Sequence, residues 1–302
     1  MNRGIEMGSS RFQGIFPALV TPFTREGEVN LEELRRVACF HVEKGVDGFF
    51  VCGTVGEGPL MSVGQRKLVA ETVMDEVGSH VSIIVHAGTT NTEETVQLAK
   101  HAQEIGAHAV GVVSPYYFKP DLEGLVEHYR IVSESVGIPV FVYNIPSLTG
   151  LNLTPLMVAK ICELPNIVGV KDSSRDLIQI REIMETATKK ITVINGADNL
   201  IFAALMVGVD GQISGMANVA PELFVGLYKA YKAGEHSKAL KLQKDINSVI
   251  RALSGFPPIA PIKAALKLRG VGAGFPKRPL RPLKPDEVNI LKERLSALNL
   301  FW

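Results

Sequence analysis

The sequence is short of several features that would have pointed elsewhere. Its 32 lysines and arginines are balanced by 31 aspartates and glutamates, a formal charge of +1. No basic excess exists for a nucleic-acid backbone, so nucleic acid is not an expected partner. Cys39, Cys52 and Cys162 are odd in number and lack metal-ligand spacing. They argue against a disulfide framework and suit small apolar core residues in a reducing, cytoplasmic setting. No apolar run approaches the roughly 20 residues of a membrane span, so no membrane partner is expected either. The first dozen residues carry Arg3 and Arg11 but no apolar h-region, which argues against a secretory signal. Residues 1–12 are expected to form a flexible extension, with Met7 as an alternative start.

What is present is a regular alternation. Strand-like segments at 14–20, 48–51, 81–86, 109–113 and 139–143, one ending at Lys171, and two more at 191–195 and 211–213 are separated by segments with helical spacing. The helices are expected at 31–44, 62–77, 92–105, 122–135, 154–162, 177–186, 199–207 and 221–233. Such alternation implies parallel pairing through crossover helices. Eight strands over about 220 residues select a closed (β/α)₈ TIM barrel over an open doubly wound sheet. The barrel domain is expected over 13–233 and a C-terminal helical bundle over 234–302, with helices at 237–253, 261–268 and 285–298. Pro257, Pro258 and Pro261 punctuate the joint, and 277–282 reads as an extended segment between helices.

The most informative stretch is Asn166-Ile167-Val168-Gly169-Val170-Lys171-Asp172-Ser173-Ser174. Its apolar, β-branched run has no period-2 alternation, as in a strand buried on both faces. A lysine ending such a strand must be paired, snorkel to solvent, or serve as a neutral nucleophile whose pKa desolvation has lowered. Taken alone, the lysine reads most simply as snorkelling. In a barrel, however, function collects where the strands end. Those ends carry Thr21-Pro22, Gly53-Thr54-Val55-Gly56-Glu57-Gly58, His86-Ala87-Gly88-Thr89, Ser114-Pro115-Tyr116-Tyr117, Tyr143-Asn144-Ile145-Pro146, Lys171-Asp172, Asn195-Gly196-Ala197-Asp198 and Ser214-Gly215. One lysine, several hydroxyls and a glycine-rich turn converge, without a metal-spaced Cys/His/carboxylate set, so no metal is expected. The turn lacks a P-loop lysine, and Glu57 would repel phosphate. Its N–H groups with Thr54 suit a small carboxylate, although a plain βα turn reads the same. Tyr143 reads equally as a proton relay or as a barrel-mouth aromatic. His86 reads as a structural side chain rather than a base. Tyr116 and Tyr117 look too exposed for core and suit a subunit contact or a neighbouring site.

In this order the strand ends resemble the dihydrodipicolinate synthase / N-acetylneuraminate lyase family of pyruvate-dependent class I aldolases. The resemblance covers 14–268 and rests on Thr21-Pro22-Phe23, Gly53-Thr54-Val55-Gly56-Glu57, Ser114-Pro115-Tyr116-Tyr117, Tyr143-Asn144-Ile145-Pro146, Val168-Gly169-Val170-Lys171-Asp172 and 258–263. It implies a Schiff base between Lys171 and the keto carbon of pyruvate or a 2-keto acid, the imine acting as electron sink without a cofactor. It further implies that Tyr143 handles protons and that Thr54 links it to Tyr117 of a neighbouring subunit. The Thr54-Val55 turn would hold the carboxylate and Ile213 would line the same pocket. Leu148, Gly196 and Asp198 join these as expected substrate-binding residues.

Two departures bear on the substrate. Synthases of the family carry an arginine where this chain has Leu148, and Leu148 cannot bind the carboxylate of an amino-aldehyde, a loss of roughly several kcal/mol of discrimination. Val55 stands where they have threonine. Sialic acid lyases have leucine near Leu148, but their aspartate-glutamate pair is Asp198-Asn199 here. Aldolases for 2-keto-3-deoxy sugar acids tolerate an apolar residue at this point, and the chain is placed nearest them. The expected reaction splits a 2-keto-3-deoxygluconate-type acid into pyruvate and a hydroxyaldehyde. The alternatives are dihydrodipicolinate synthase, N-acetylneuraminate lyase and a non-enzymatic ligand-binding barrel. Expected partners are a small keto acid and aldehyde, and other copies of the chain in a homotetramer built as a dimer of dimers.

Overall fold

The computed structural model describes residues 11–300. Eight strands, β1 (Gly14–Pro17), β2 (Gly48–Val51), β3 (Ser82–His86), β4 (Ala109–Val113), β5 (Val140–Asn144), β6 (Ile167–Asp172), β7 (Thr192–Asn195) and β8 (Gly211–Ser214), pair in parallel. β1 pairs with β8, and the run from β8 back to β2 is continuous. A bridge between Ala18 and Phe50, with the Leu19 N–H donating to the Phe50 carbonyl at 3.0 Å, closes the ring. The result is a TIM barrel with C-terminal helices. β1 is shorter than the expected 14–20: beyond Pro17 the Ala18 and Leu19 N–H groups still donate to the Ser214 and Phe50 carbonyls (2.7 and 3.0 Å), but Val20 leaves the ladder. Val20 instead donates to the Asn218 side chain at 3.1 Å.

Barrel strands are covered on both sides, which is why they read as unbroken apolar runs. Inside lie Phe16, Phe50, Ile84, Phe141, Ile194 and Ile213, and the larger outer cluster fills the space between sheet and helices. The interior rings fit because small residues face them. A Cβ on Gly48 would come within 2.2 Å of the Phe16 ring, and one on Gly111 within 2.5 Å of Phe50. Phe12 packs edge-on against Phe141 with centroids 5.1 Å apart; residues 1–10 of the expected extension lie outside the described residues.

The helices follow as α1 (Leu31–Glu43), α2 (Val63–Val77), α3 (Thr92–Glu104), α4 (Leu122–Glu134), α5 (Pro146–Thr149), α6 (Pro155–Cys162), α7 (Leu177–Thr186), α8 (Ile201–Val207) and α9 (Pro221–Lys232). Polar N-caps start many of them: Asn30, Ser62, Asn91, Asp121, Thr154 and Asp176 each accept from an N–H of the first turn. The helix expected from 199 begins at Ile201 after a 3₁₀ turn. Gln243 holds this turn by donating to the Asp198 carbonyl at 3.1 Å and accepting from the Phe202 N–H at 2.9 Å. The one-turn α5 was not expected; Pro146 at its start, with φ preset for a helix, was its only local signal. Beyond the barrel, α10 (His236–Ala252) packs along α9, while α11 (Ala260–Leu268) and α12 (Pro285–Ser296) pack on each other. Among the described residues no helix is long and apolar enough to cross a membrane. Cys52 and Cys162 are buried; Cys39 is half-buried, its thiol 3.2 Å from Glu76 Oε1.

Candidate active site

Lys171 lies on the strand where the apolar run predicted it, one residue before the end of β6 at Asp172, and it does not snorkel. The residue is only 4% exposed. Its Nζ lies 3.9 Å from the centroid of the Tyr143 ring and 4.2 Å from that of Phe50. Among the described residues no carboxylate oxygen stands within 4.0 Å of its Nζ, so the buried amine is not ion-paired. Burial therefore pushes the ammonium below the ordinary lysine range, partly offset by Tyr143 and the Asp198 charge. A buried amine of this kind is poised to act as a nucleophile.

Tyr143 is placed by register. It pairs with Lys171 across β5 and β6, so both side chains enter the barrel at one level. Its ring is buried, edge-on to Phe50 at 5.6 Å and to His86 at 5.9 Å, and its hydroxyl lies 3.5 Å from Thr54 Oγ1. One residue further along, Asn144 and Asp172 pair in turn. The fully buried Asp172 carboxylate accepts from Asn144 Nδ2 (2.8 Å), Gln179 Nε2 (3.0 Å) and the Ser174 N–H (2.8 Å), which ties the ends of β5 and β6 to α7.

Thr54 and Val55 sit in a tight turn after β2. Cys52 and Glu57 adopt the left-handed region with φ of 59°. At Gly58 a Cβ would fall 1.8 Å from the Cys52 carbonyl, so only glycine fits. The turn is clamped from the far end of the chain. Glu57 is buried and pairs with Lys263 Nζ at 2.6 Å, and its other oxygen accepts from the Lys277 N–H at 2.6 Å. Lys263, whose ammonium burial lowers to about 8, also donates to the carbonyls of Thr21 (2.6 Å) and Phe275 (2.7 Å). Within the turn, the N–H groups of Thr54 and Val55 donate to no other described residue.

The remaining expected site residues divide. Ile213 lies inside the barrel in the cluster that holds Tyr143, with Val55 packed against it. Gly196 follows directly on β7, where its N–H donates to the Asp172 carbonyl at 2.7 Å and a Cβ would fall 2.0 Å from Ser173 Oγ. Asp198 is close enough to bias Lys171, yet its carboxylate is held by Gln212 Nε2 at 2.9 Å and the Met216 N–H at 3.0 Å. Leu148 is 63% exposed on α5. Tyr117 does not join its own chain's cluster: it is 86% exposed, at φ of 78°, and among the described residues its ring meets the ring of the outlying Phe118 edge-on at 5.2 Å. Beside Tyr143 opens a cavity of about 230 Å³, lined by Thr54, His86, Tyr116, Tyr143, Leu148 and Thr149 with apolar Pro59, Val113 and Ile145.

The family pattern described as dihydrodipicolinate synthetase matches residues 11–298. The chain belongs to that family. It is 40% identical over 287 residues to an uncharacterized DapA-like lyase of Halobacterium salinarum, covering 95% of this chain and 94% of that one. It is 36% identical over 289 residues to a 4-hydroxy-tetrahydrodipicolinate synthase of Clostridium perfringens, covering 96% and 99%. Among solved structures it superposes with a TM-score of 0.92 on YagE, a prophage protein of the dihydrodipicolinic acid synthase family from E. coli K12 crystallised with pyruvate, at 32% identity over 96% of this chain and 99% of that one. As a member of the dihydrodipicolinate synthetase family the protein is a lyase of the class I aldolase type, pyruvate-dependent and working through a lysine Schiff base.

The sequence reading missed three features of this family site. Phe50, under the lysine, read only as strand core; its spacing of two from Gly48, which faces the Phe16 ring, was the signal. His86 lines the cavity although it read as structural alone. The clamp of Glu57 by Lys263 joins residues separated by most of the chain, and no local pattern announces it.

Proposed function

We propose that the protein cleaves a 2-keto-3-deoxy sugar acid of the 2-keto-3-deoxygluconate type into pyruvate and a neutral hydroxyaldehyde, reversibly. The observation that carries this reading is the lining of the cavity beside Tyr143: hydroxyls, an imidazole and apolar side chains, with no lysine, arginine, aspartate or glutamate. A substrate half rich in hydroxyls finds partners there. A carboxylated aldehyde finds no counter-charge, and Leu148 supplies none at the mouth.

In this reading the neutral Lys171 amine adds to the keto carbon, and the hydroxyl of the adduct leaves as water with the Tyr143 proton, giving the protonated imine and a Tyr143 phenolate. The substrate hydroxyl beyond the scissile bond then loses its proton to the Tyr143 oxygen as the carbon–carbon bond breaks and its electron pair moves into the imine. The aldehyde departs and the enamine is reprotonated at carbon. Water then hydrolyses the imine, releasing pyruvate and restoring the amine. The imine is the electron sink, so no bound cofactor is required. The free N–H groups of Thr54 and Val55 would hold the keto-acid carboxylate, with Ile213 packing beside it. Tyr143 and Thr54 would pass the proton, with Tyr117 supplied by a neighbouring copy in a tetramer. The exposed, strained Tyr117 and the exposed Phe118 beside it support that last point.

The test is pyruvate release from 2-keto-3-deoxygluconate, read by a coupled lactate dehydrogenase assay beside sialic acid and beside pyruvate with aspartate semialdehyde. Release from the sugar acid alone supports the reading. Turnover of aspartate semialdehyde alone would establish the second reading, 4-hydroxy-tetrahydrodipicolinate synthase, which the name of the Clostridium perfringens relative favours.

A further inference from the structure

His86, the last residue of β3, is 3% exposed and lines the cavity beside Tyr143. Its ring is wedged between two others, 5.6 Å from Phe50 and 5.9 Å from Tyr143 between centroids. The Nδ1 edge is occupied: Arg66 Nη2 lies 3.3 Å away and the Cys52 carbonyl 3.2 Å away. The Nε2 edge is not. Among the described residues this buried nitrogen has no hydrogen-bonding partner. It is enclosed beside Gly88 and Val113: a Cβ on Gly88 would lie 3.2 Å from it and 2.9 Å from Val113 Cγ1, so the glycine leaves room at this nitrogen. A buried nitrogen without a partner is costly in a folded protein, by about 1–3 kcal/mol, so its retention beside a cavity calls for a functional explanation.

The geometry points to His86 Nε2 as a specificity-determining contact that binds a hydroxyl on the aldehyde-derived half of the substrate. The inference rests on the aldolase reading above and narrows it. The ring is neutral, since burial, the Arg66 guanidinium behind it and Lys171 across the site all oppose a second proton. A neutral imidazole has one donor and one acceptor nitrogen. If Nδ1 donates to the Cys52 carbonyl, Nε2 must accept; if Nδ1 accepts from Arg66, Nε2 must donate. A hydroxyl satisfies either tautomer, whereas a carboxylate or phosphate oxygen satisfies one and an ammonium only the other. The imidazole thus selects for hydroxyls at the point where the cavity meets Tyr143. The cradle is rigid as well: Arg66 is fixed by the carbonyls of Gly88 (3.2 Å) and His86 (2.5 Å), and turning the ring away would give up the Nδ1 contacts to Arg66 and the Cys52 carbonyl.

The experiment compares condensation of pyruvate with glyceraldehyde and with propanal, which lacks the hydroxyls, in the wild type, His86→Phe and His86→Gln. Borohydride trapping of pyruvate on Lys171, which involves no aldehyde, monitors the folded site in each variant. The expected result is a wild-type preference for glyceraldehyde that falls about tenfold in His86→Phe, the equivalent of one neutral hydrogen bond, and recovers in part in His86→Gln, whose amide keeps a polar end. An undiminished preference in His86→Phe, or no recovery in His86→Gln, would overturn the inference alone. A wild type that condenses only aspartate semialdehyde would overturn the aldolase reading and this inference together.

Discussion

Replacing Lys263 by methionine should weaken the protein through the turn that carries Thr54 and Val55. The substitution keeps the length of the side chain but removes the ammonium from a site where both it and Glu57 are almost fully buried. Glu57 then faces no cation at the distance where one stood 2.6 Å away, and the carbonyls of Thr21 and Phe275 lose a donor. Breaking one side of a buried pair costs about 3–5 kcal/mol, because the surviving charge is stranded away from water. With an unfolding entropy of about 2.1 cal/mol/K per residue over 302 residues, about 4 kcal/mol lowers Tm by about 6 °C. The double variant Glu57→Gln/Lys263→Met strands no charge and loses only hydrogen bonds, so it should cost about 1–3 kcal/mol, less than Lys263→Met alone. Urea unfolding of the two single variants and the double variant, followed by circular dichroism, gives the cycle. Costs that simply add would refute the pairing, as would a Lys263→Met variant within 1 kcal/mol of the wild type.

Two further predictions concern the amine and the phenol. The rate of borohydride trapping with pyruvate should rise with pH as Lys171 loses its proton, and level off below the ordinary lysine range near pH ~10.4, because burial disfavours the ammonium. Asp198→Asn removes a carboxylate that favours the ammonium, so the midpoint should move to lower pH; a midpoint that moves up would show that Asp198 acts otherwise. Tyr143→Phe keeps the ring against Lys171 and Phe50 but removes the hydroxyl beside Thr54, so kcat for the aldol step should fall about 10²–10⁴-fold. Unaltered kcat in that variant would take the phenol out of the proton path.

How far the sequence could be read depended on the reach of each signal. The eight strands were legible because strands covered on both faces leave short apolar runs, and their carboxyl ends then name the functional face without any knowledge of side-chain geometry. Most helix limits followed from the helical spacing, and the structure places polar caps such as Ser62 and Asp121 at those starts. The turn around Gly58 was visible as glycines, but the Glu57 and Lys263 pair that braces it was not, since its partners meet only after the C-terminal helices dock. The lysine itself was ambiguous in isolation: snorkelling was the simpler account until the rings of Phe50 and Tyr143 were seen to enclose Nζ. Leu148 was read as an apolar departure from the arginine of the synthases, and the cavity beside it depends on α5, whose single turn is too short to leave a periodic pattern. His86 read as structural because one histidine at a strand end carries no information about which of its nitrogens the fold will satisfy.

The account stands on Lys171 being the residue that forms the imine. Incubating the protein with pyruvate and borohydride, then mapping the product by mass spectrometry, tests this without knowledge of the aldehyde. One reduced pyruvate adduct is expected, on the peptide containing Lys171 and absent from Lys171→Ala. An adduct on another lysine, or none in a sample that circular dichroism shows to be folded, would contradict it.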